Sequence, residues 1–164
     1  MGIHVVDDFL SSQHFEMIHS EMMGDNFDWY FTDGISVIPQ AGRYQFIHNF
    51  YKRFLGPTTS MELIVPIVDK LGLKPESVIR IKANLNTRTL FNRRTGFHTD
   101  FSEAGPHTTA IYYVNTNNGY TLFKGGKKIK SVENRLIVFD STLEHQGVTC
   151  TDEKRRVVIN FNYH

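Results

Sequence analysis

The chain has 164 residues, 40% of them hydrophobic and 21% charged, and its 18 basic and 17 acidic side chains leave a formal charge of +1. That length suits one domain able to bury roughly 70% of its unfolded surface, and the charge balance gives no pull toward nucleic acid or an anionic membrane. One cysteine, Cys150, excludes a disulfide framework or a zinc ribbon and suits a reducing cytoplasm. No apolar run approaches the ~20 residues of a membrane span, and the opening MGIHVVDDFL, with acids at 7 and 8, does not read as a leader peptide.

In chain order, Ser11-Ser12 offers a helix cap, and Phe15, Ile18 and Met22 follow at helical spacing until Gly24. A second helix is predicted between Ser60 and Leu71, with Met61, Ile64, Val65, Val68 and Leu71 on one face and Gly72 as its stop. Pro66 lies inside that pattern, so this helix should start late, kink or break there. Residues 28–56, with Trp29, Tyr30, Tyr44 and His48, are expected to form a variable lid. From residue 78 the pattern changes to strand and turn. Val78–Asn86, Thr109–Val114, Tyr120–Lys124, Lys127–Val132, Arg135–Asp140 and Arg155–Tyr163 are rich in β-branched and aromatic residues. Asn118-Gly119, Gly125-Gly126 and Glu133-Asn134 supply the turns between them. The expected fold class is α+β, mainly β: a barrel or jelly roll with the early helices covering one sheet. No repeat or linker divides it, so residues 1–164 read as a single domain, 1–77 helical and lid-forming, 78–164 the catalytic jelly-roll core.

Eight histidines among 17 acids predict about one His-x-acid match by chance, and the chain has three. Such a pair in an extended segment places both side chains on one side. His14-x-Glu16 and His19-x-Glu21 fall on the first helix, where residues two apart do not face each other. Only His98-Thr99-Asp100 lies beside the strands. About 45 residues later, His145 follows the apolar strand Leu136–Asp140, and Arg155-Arg156 opens the last strand about ten residues beyond. Two histidines and a carboxylate make an open metal site for oxygen chemistry, and a guanidinium near it suits a dicarboxylate. Strand alternation chooses between the two arginines. Arg156, Val158, Asn160 and Asn162 share a partly polar face, whereas Val157, Ile159 and Phe161, behind Arg155, should pack under a helix.

This order of residues, with the segments TAIYYVN (109–115), NGYTLF (118–123), NRLIVFDSTLEHQGVT (134–149) and RVVINFNY (156–163), resembles the iron(II)/2-oxoglutarate-dependent dioxygenases. Within them it is most similar to the prolyl-hydroxylase-like branch, including small bacterial and marine-phage members. The resemblance implies a double-stranded β-helix (jelly roll) that couples oxidative decarboxylation of 2-oxoglutarate, with O2, to hydroxylation of a C–H bond, with ascorbate as a supporting reductant. It implies His98, Asp100 and His145 as Fe(II) ligands and Arg156 as the partner of the cosubstrate's distal carboxylate. Tyr113 and Asn160 are implied beside that cosubstrate, although Tyr113 equally reads as a core tyrosine. A prolyl residue of a peptide or protein is the implied substrate, with no nucleic-acid or membrane partner, in the cytoplasm (the host's, for a phage-encoded chain). Asn162 stands where some prolyl hydroxylases have a substrate-packing tryptophan, and Asn84, Asn86 and Arg88 give the strand before His98 a polar face. These departures keep a free amino acid or small metabolite open as substrate. A cupin-like metal enzyme without 2-oxoglutarate and a non-catalytic jelly-roll binding protein complete the alternatives.

Overall fold

The first helix begins where its cap predicts. In the computed structural model of the chain, which describes residues 2–33, 44–101 and 106–164, α1 spans Ser12–Met22 and Ser11 accepts the backbone N–H of His14. The second helix does start late: a 3-10 segment, Thr59–Ile64, gives way to α2, Val65–Lys70, with Pro66 in its first turn. Proline is tolerated there because the first helical N–H groups have no intrahelical partner. Gly72 then turns the chain at a φ of +65°.

The described residues form eleven strands, in chain order β1 (His4–Val6), β2 (Tyr30–Asp33), β3 (Tyr44–Lys52), β4 (Gly56–Pro57), β5 (Val78–Thr87), β6 (Thr108–Tyr113), β7 (Tyr120–Phe123), β8 (Lys128–Lys130), β9 (Arg135–Asp140), β10 (His145–Val148) and β11 (Arg155–Tyr163). The main sheet has the order β1-β9-β6-β11-β5-β3-β2, with β4 on β3, and the smaller sheet is β10-β7-β8. Every pairing is antiparallel, and the bridges Arg94↔Val148 and His98↔His145 extend the smaller sheet by one irregular segment. Two such facing sheets form the expected jelly roll.

Side-chain alternation sorts the main sheet into two faces. Val157, Ile159 and Phe161 of β11, with Ala83 of β5 and Ala110 and Tyr112 of β6, pack under Ile18 and Met22 of α1 and Ile67 of α2. The other parity, Ile111, Tyr113, Ile137, Phe139 and Val158, meets Phe123 and Ile129 of the smaller sheet. The polar members of that second parity are thereby turned into the space between the sheets.

The chain departs from expectation in three places. His145 opens a strand, β10, that a short polar run containing a glycine did not disclose. Of residues 28–56, the described ones (28–33 and 44–56) are largely sheet: β2 and β3 extend the main sheet beside β5. Residues 34–43 of the expected lid lie outside the described residues. β1 adds a further N-terminal strand, held to β9 by the Asp7–Arg135 ion pair and by Asn134, whose side-chain amide bonds both backbone groups of Leu10.

Candidate active site

The proposed ligands come together because two of them face each other across the smaller sheet. His98 and His145 exchange backbone hydrogen bonds, each N–H donating to the other's carbonyl at 3.0 Å. Their rings lie 4.6 Å apart, and Asp100 is drawn in by its own N–H bond to the Ser141 carbonyl at 3.2 Å. One ligand atom from each of His98, Asp100 and His145 lies within 4.8 Å of the others, the one such group among the described residues. In each imidazole Nδ1 is committed to a carbonyl, His145 to Leu143 at 2.9 Å and His98 to Gly96 at 3.3 Å. That fixes the tautomer and leaves Nε2 as the free lone pair, as histidine ligands of metals require.

The carboxylate is held from behind. Asp100 Oδ2 accepts the Thr109 hydroxyl at 2.6 Å and the Asn162 amide at 3.0 Å, and Arg80 Nη2 stands 3.7 Å from Oδ1. Burial would raise this carboxyl, but His145, Thr109, Arg80 and His98 together hold it below the ordinary carboxylate range. Burial pushes the His145 imidazole down, against the opposing pull of Asp100. A carboxylate beside neutral imidazole is the donor set an Fe(II) ion needs, and these residues fit the group.

A cavity of about 310 Å³ opens from this cluster. Arg156 lies at its buried end, 3% exposed, donating through Nε to Ser131 Oγ at 2.9 Å and through Nη2 to Thr121 Oγ1 at 3.2 Å. Burial lowers its pKa, with Tyr113 and Cys150 opposing, yet a guanidinium stays protonated across the ordinary pH range. It makes no carboxylate ion pair among the described residues. The passage that admits it depends on Gly119, where a Cβ would meet Arg156 Cδ, Asn117 Oδ1 and the Val148 carbonyl, each at 2.7 Å.

The other expected residues divide. Asn160 and Asn84 line the cavity, and the Oδ1 of each is buried with no partner. Tyr113 is fully buried and reaches the cavity only through Thr121, to which its hydroxyl donates at 2.7 Å. Burial raises its pKa, so the phenol remains a donor. Asn162 is not on the cavity wall; it sits behind Asp100, where it also accepts two bonds from Arg80 at 2.8 and 3.1 Å. Arg88 lies beyond the end of β5 and is exposed, so the strand does not carry it into the site. Sequence reasoning missed Arg80 and Lys82, although both share the parity of Asn84 and Asn86 on β5 and line the cavity. Extending the same alternation two and four residues from Asn84 toward Val78 finds Lys82 and Arg80.

No protein-family model and no curated protein sequence matches the chain. Solved structures do. A prolyl hydroxylase from Trichoplax adhaerens, in complex with a hypoxia inducible factor oxygen degradation domain peptide fragment, is 16% identical with a TM-score of 0.70, covering 99% of this chain and 83% of that one. A Pseudomonas putida prolyl-4-hydroxylase is 14% identical with a TM-score of 0.67, covering 99% and 92%. A non-heme alpha ketoglutarate dependent carbocyclase from nogalamycin biosynthesis is 10% identical with a TM-score of 0.67, covering 99% and 79%. Over nearly its whole length the chain therefore has the fold of the 2OG-Fe(II) oxygenases, prolyl hydroxylases among them.

Proposed function

We propose that this protein is an iron(II)/2-oxoglutarate-dependent dioxygenase. The observation that carries the reading is the buried Arg156 guanidinium, without a carboxylate partner, in the same cavity as His98, Asp100 and His145. A buried charge left unpaired is costly, and a dicarboxylate whose other end reaches the three-ligand cluster relieves it. Iron(II) bound by His98, Asp100 and His145 would supply oxygen activation coupled to oxidative decarboxylation of 2-oxoglutarate. The protein's own groups do the rest. Thr121 Oγ1 accepts hydrogen bonds from both Tyr113 and Arg156, so its own proton is left for an oxygen in the cavity. Arg156 and Thr121 then hold the distal carboxylate while burial keeps water from competing. These features favour 2-oxoglutarate use over a cupin-like reaction without it.

The substrate proposed is a prolyl residue of a peptide, supported by the close fold likeness to a peptide-bound prolyl hydroxylase. A free amino acid or small metabolite is the second reading, favoured by the polar side chains of Lys82, Asn84, Asn86 and Gln45 on the cavity wall. The test of the reaction class is anaerobic addition of iron(II) and 2-oxoglutarate, which should produce a visible charge-transfer band. His98→Ala and Asp100→Ala should abolish it and succinate formation in a folded protein. Arg156→Ala should raise the 2-oxoglutarate concentration required. A protein that binds neither iron nor 2-oxoglutarate overturns the proposal; iron binding with no response to 2-oxoglutarate favours the cupin-like reading.

A further inference from the structure

The wing of the cavity formed by β5, β3 and β2 has polar groups that the proposed cosubstrate site does not use. On the inner face, β11 and β5 pair in four rows: Arg156 with Asn86, Val158 with Asn84, Asn160 with Lys82, and Asn162 with Arg80. The Arg156 row belongs to the cosubstrate, and the Arg80 row abuts Asp100. Lys82 stands between them, two rows from Arg156 and so about 13 Å away along the strand. It lines the cavity beside Asn160, and it has no carboxylate within ion-pair distance among the described residues. Of the two carboxylates on the cavity wall, Asp33 and Asp100, neither is within ion-pair distance of Lys82, and Asp100 is engaged by Thr109, Asn162 and Arg80.

Resting on the oxygenase reading above, we infer that Lys82, with Arg80 beside it, forms an anion subsite that binds a carboxylate of the substrate next to the carbon to be oxidised. The geometry is that of a partly buried cation, flanked by a second cation and facing an open cavity, while the unpartnered Asn84 and Asn160 Oδ1 atoms beside it are acceptors left for a donor group of the same ligand. An ammonium in such a place is stabilised by an incoming carboxylate. Burial and the charges of Arg80 and Lys52 push the Lys82 pKa down to about 8, with Asp100 opposing, so the side chain is still largely protonated at neutral pH. A cavity of about 310 Å³ is at the small end for a ligand site. After the cosubstrate enters, it has room for an amino-acid-sized part of the substrate. The carboxylate is therefore either the substrate's own terminal group or the side chain of a residue adjoining the target.

Two probe pairs, each differing by one negative charge, separate these sources. They are L-proline against L-prolinamide, and a capped tetrapeptide with proline followed by glutamate against its glutamine analogue. Each is titrated anaerobically into the 164-residue protein loaded with iron(II) and 2-oxoglutarate, following the change in the charge-transfer band. The charged member of at least one pair should bind about tenfold or more tighter. Lys82→Met should abolish that preference while leaving the midpoint for 2-oxoglutarate unchanged. Preference within the first pair assigns a free acid, and within the second an acidic peptide. Equal binding within both pairs, no binding by any probe, or a preference that survives Lys82→Met overturns the inference. A Lys82→Met protein that needs more 2-oxoglutarate also overturns it, because the lysine then serves the cosubstrate. If no band forms before any probe is added, the oxygenase reading itself fails, and this inference with it.

Discussion

A single side chain, Asn162, shows how a residue can hold a candidate site together without lining its cavity. Its amide nitrogen donates to Asp100 Oδ2 at 3.0 Å and to Thr109 Oγ1 at 3.1 Å, while its oxygen accepts Arg80. It thereby fixes the carboxylate and sets the arginine beside it. Partners of this kind orient a ligand and typically account for 10–100-fold in metal affinity. Asn162→Leu keeps the branched shape but removes both bonds to Arg80 and leaves one Asp100 lone pair without its donor. We predict iron(II) affinity lower by about tenfold or more, with the Arg156-dependent 2-oxoglutarate contact intact, read by metal titration of the variant. Unchanged metal affinity would reduce Asn162 to ordinary packing. The sequence could not show this role, because it depends on Arg80, 82 residues away. Arg156 was legible for the opposite reason: its choice over Arg155 needed only the two-residue period of one strand. Arg155 points away, its guanidinium donating to the Met23 carbonyl at the end of α1.

At the scale of elements, β5 places two cations and two amides on the cavity wall at a cost to the fold. It is a central strand, paired with β11 and β3, and central strands are normally apolar on both faces when both are covered. Here Ile81, Ala83 and Leu85 fill the helix-covered core, while Arg80, Lys82, Asn84 and Asn86 face the cavity. Lys82 titrates at about 8 in the folded protein against an ordinary value of 10.5. Between those values the unfolded chain holds the proton and the folded chain does not, so stability rises with pH across that window. Its loss as pH falls from 10.5 is complete somewhat below pH 8. The full shift corresponds to at most about 3 kcal/mol. Metal-free Lys82→Met, which keeps the apolar stem, should therefore be more stable than the parent at pH 7 by about 1–3 kcal/mol. That gain should shrink steadily toward pH 10 in urea titrations; a gain independent of pH would show that packing, and not charge, governs the position. The β3–β5 pair illustrates what the sequence hides at this scale. YQFIHNFYK alternates Phe46, His48 and Phe50 against Gln45 and Ile47, but its partner β5 begins 26 residues after β3 ends. The register also shifts between Asn49 and Tyr51. A pairing that distant leaves no local turn signal, whereas β7 and β8 are announced by Gly125-Gly126 at positive φ.

For the molecule as a whole, the two sheets meet at the candidate site, so an ion bound there would add to the fold's stability. His98 and Asp100 belong to the connection between β5 and β6, and His145 to the smaller sheet. An ion held by all three ties that connection to β10 from the side-chain direction, where two backbone bonds between His98 and His145 already tie it. The unfolded chain, with Asp100 and His145 some 45 residues apart, offers no comparable site. Binding confined to the folded state stabilises it by about 2.7 kcal/mol when the ligand is at one hundred times its Kd. For a domain of this size each kcal/mol moves Tm by about 2–4 °C. Manganese(II), which binds the same oxygen and nitrogen donors without reacting with oxygen, should thus raise Tm by roughly 5–10 °C under those conditions. Adding 2-oxoglutarate should raise it further, because the dicarboxylate then joins Arg156, on β11 of the main sheet, to the ion. Asp100→Ala should lose both increments. Arg156→Ala should keep the first and lose the second, since its defect lies at the far end of the cavity. Equal shifts in the parent and in Asp100→Ala would mean that the ion acts elsewhere on the surface, and that the three residues are brought together by folding alone.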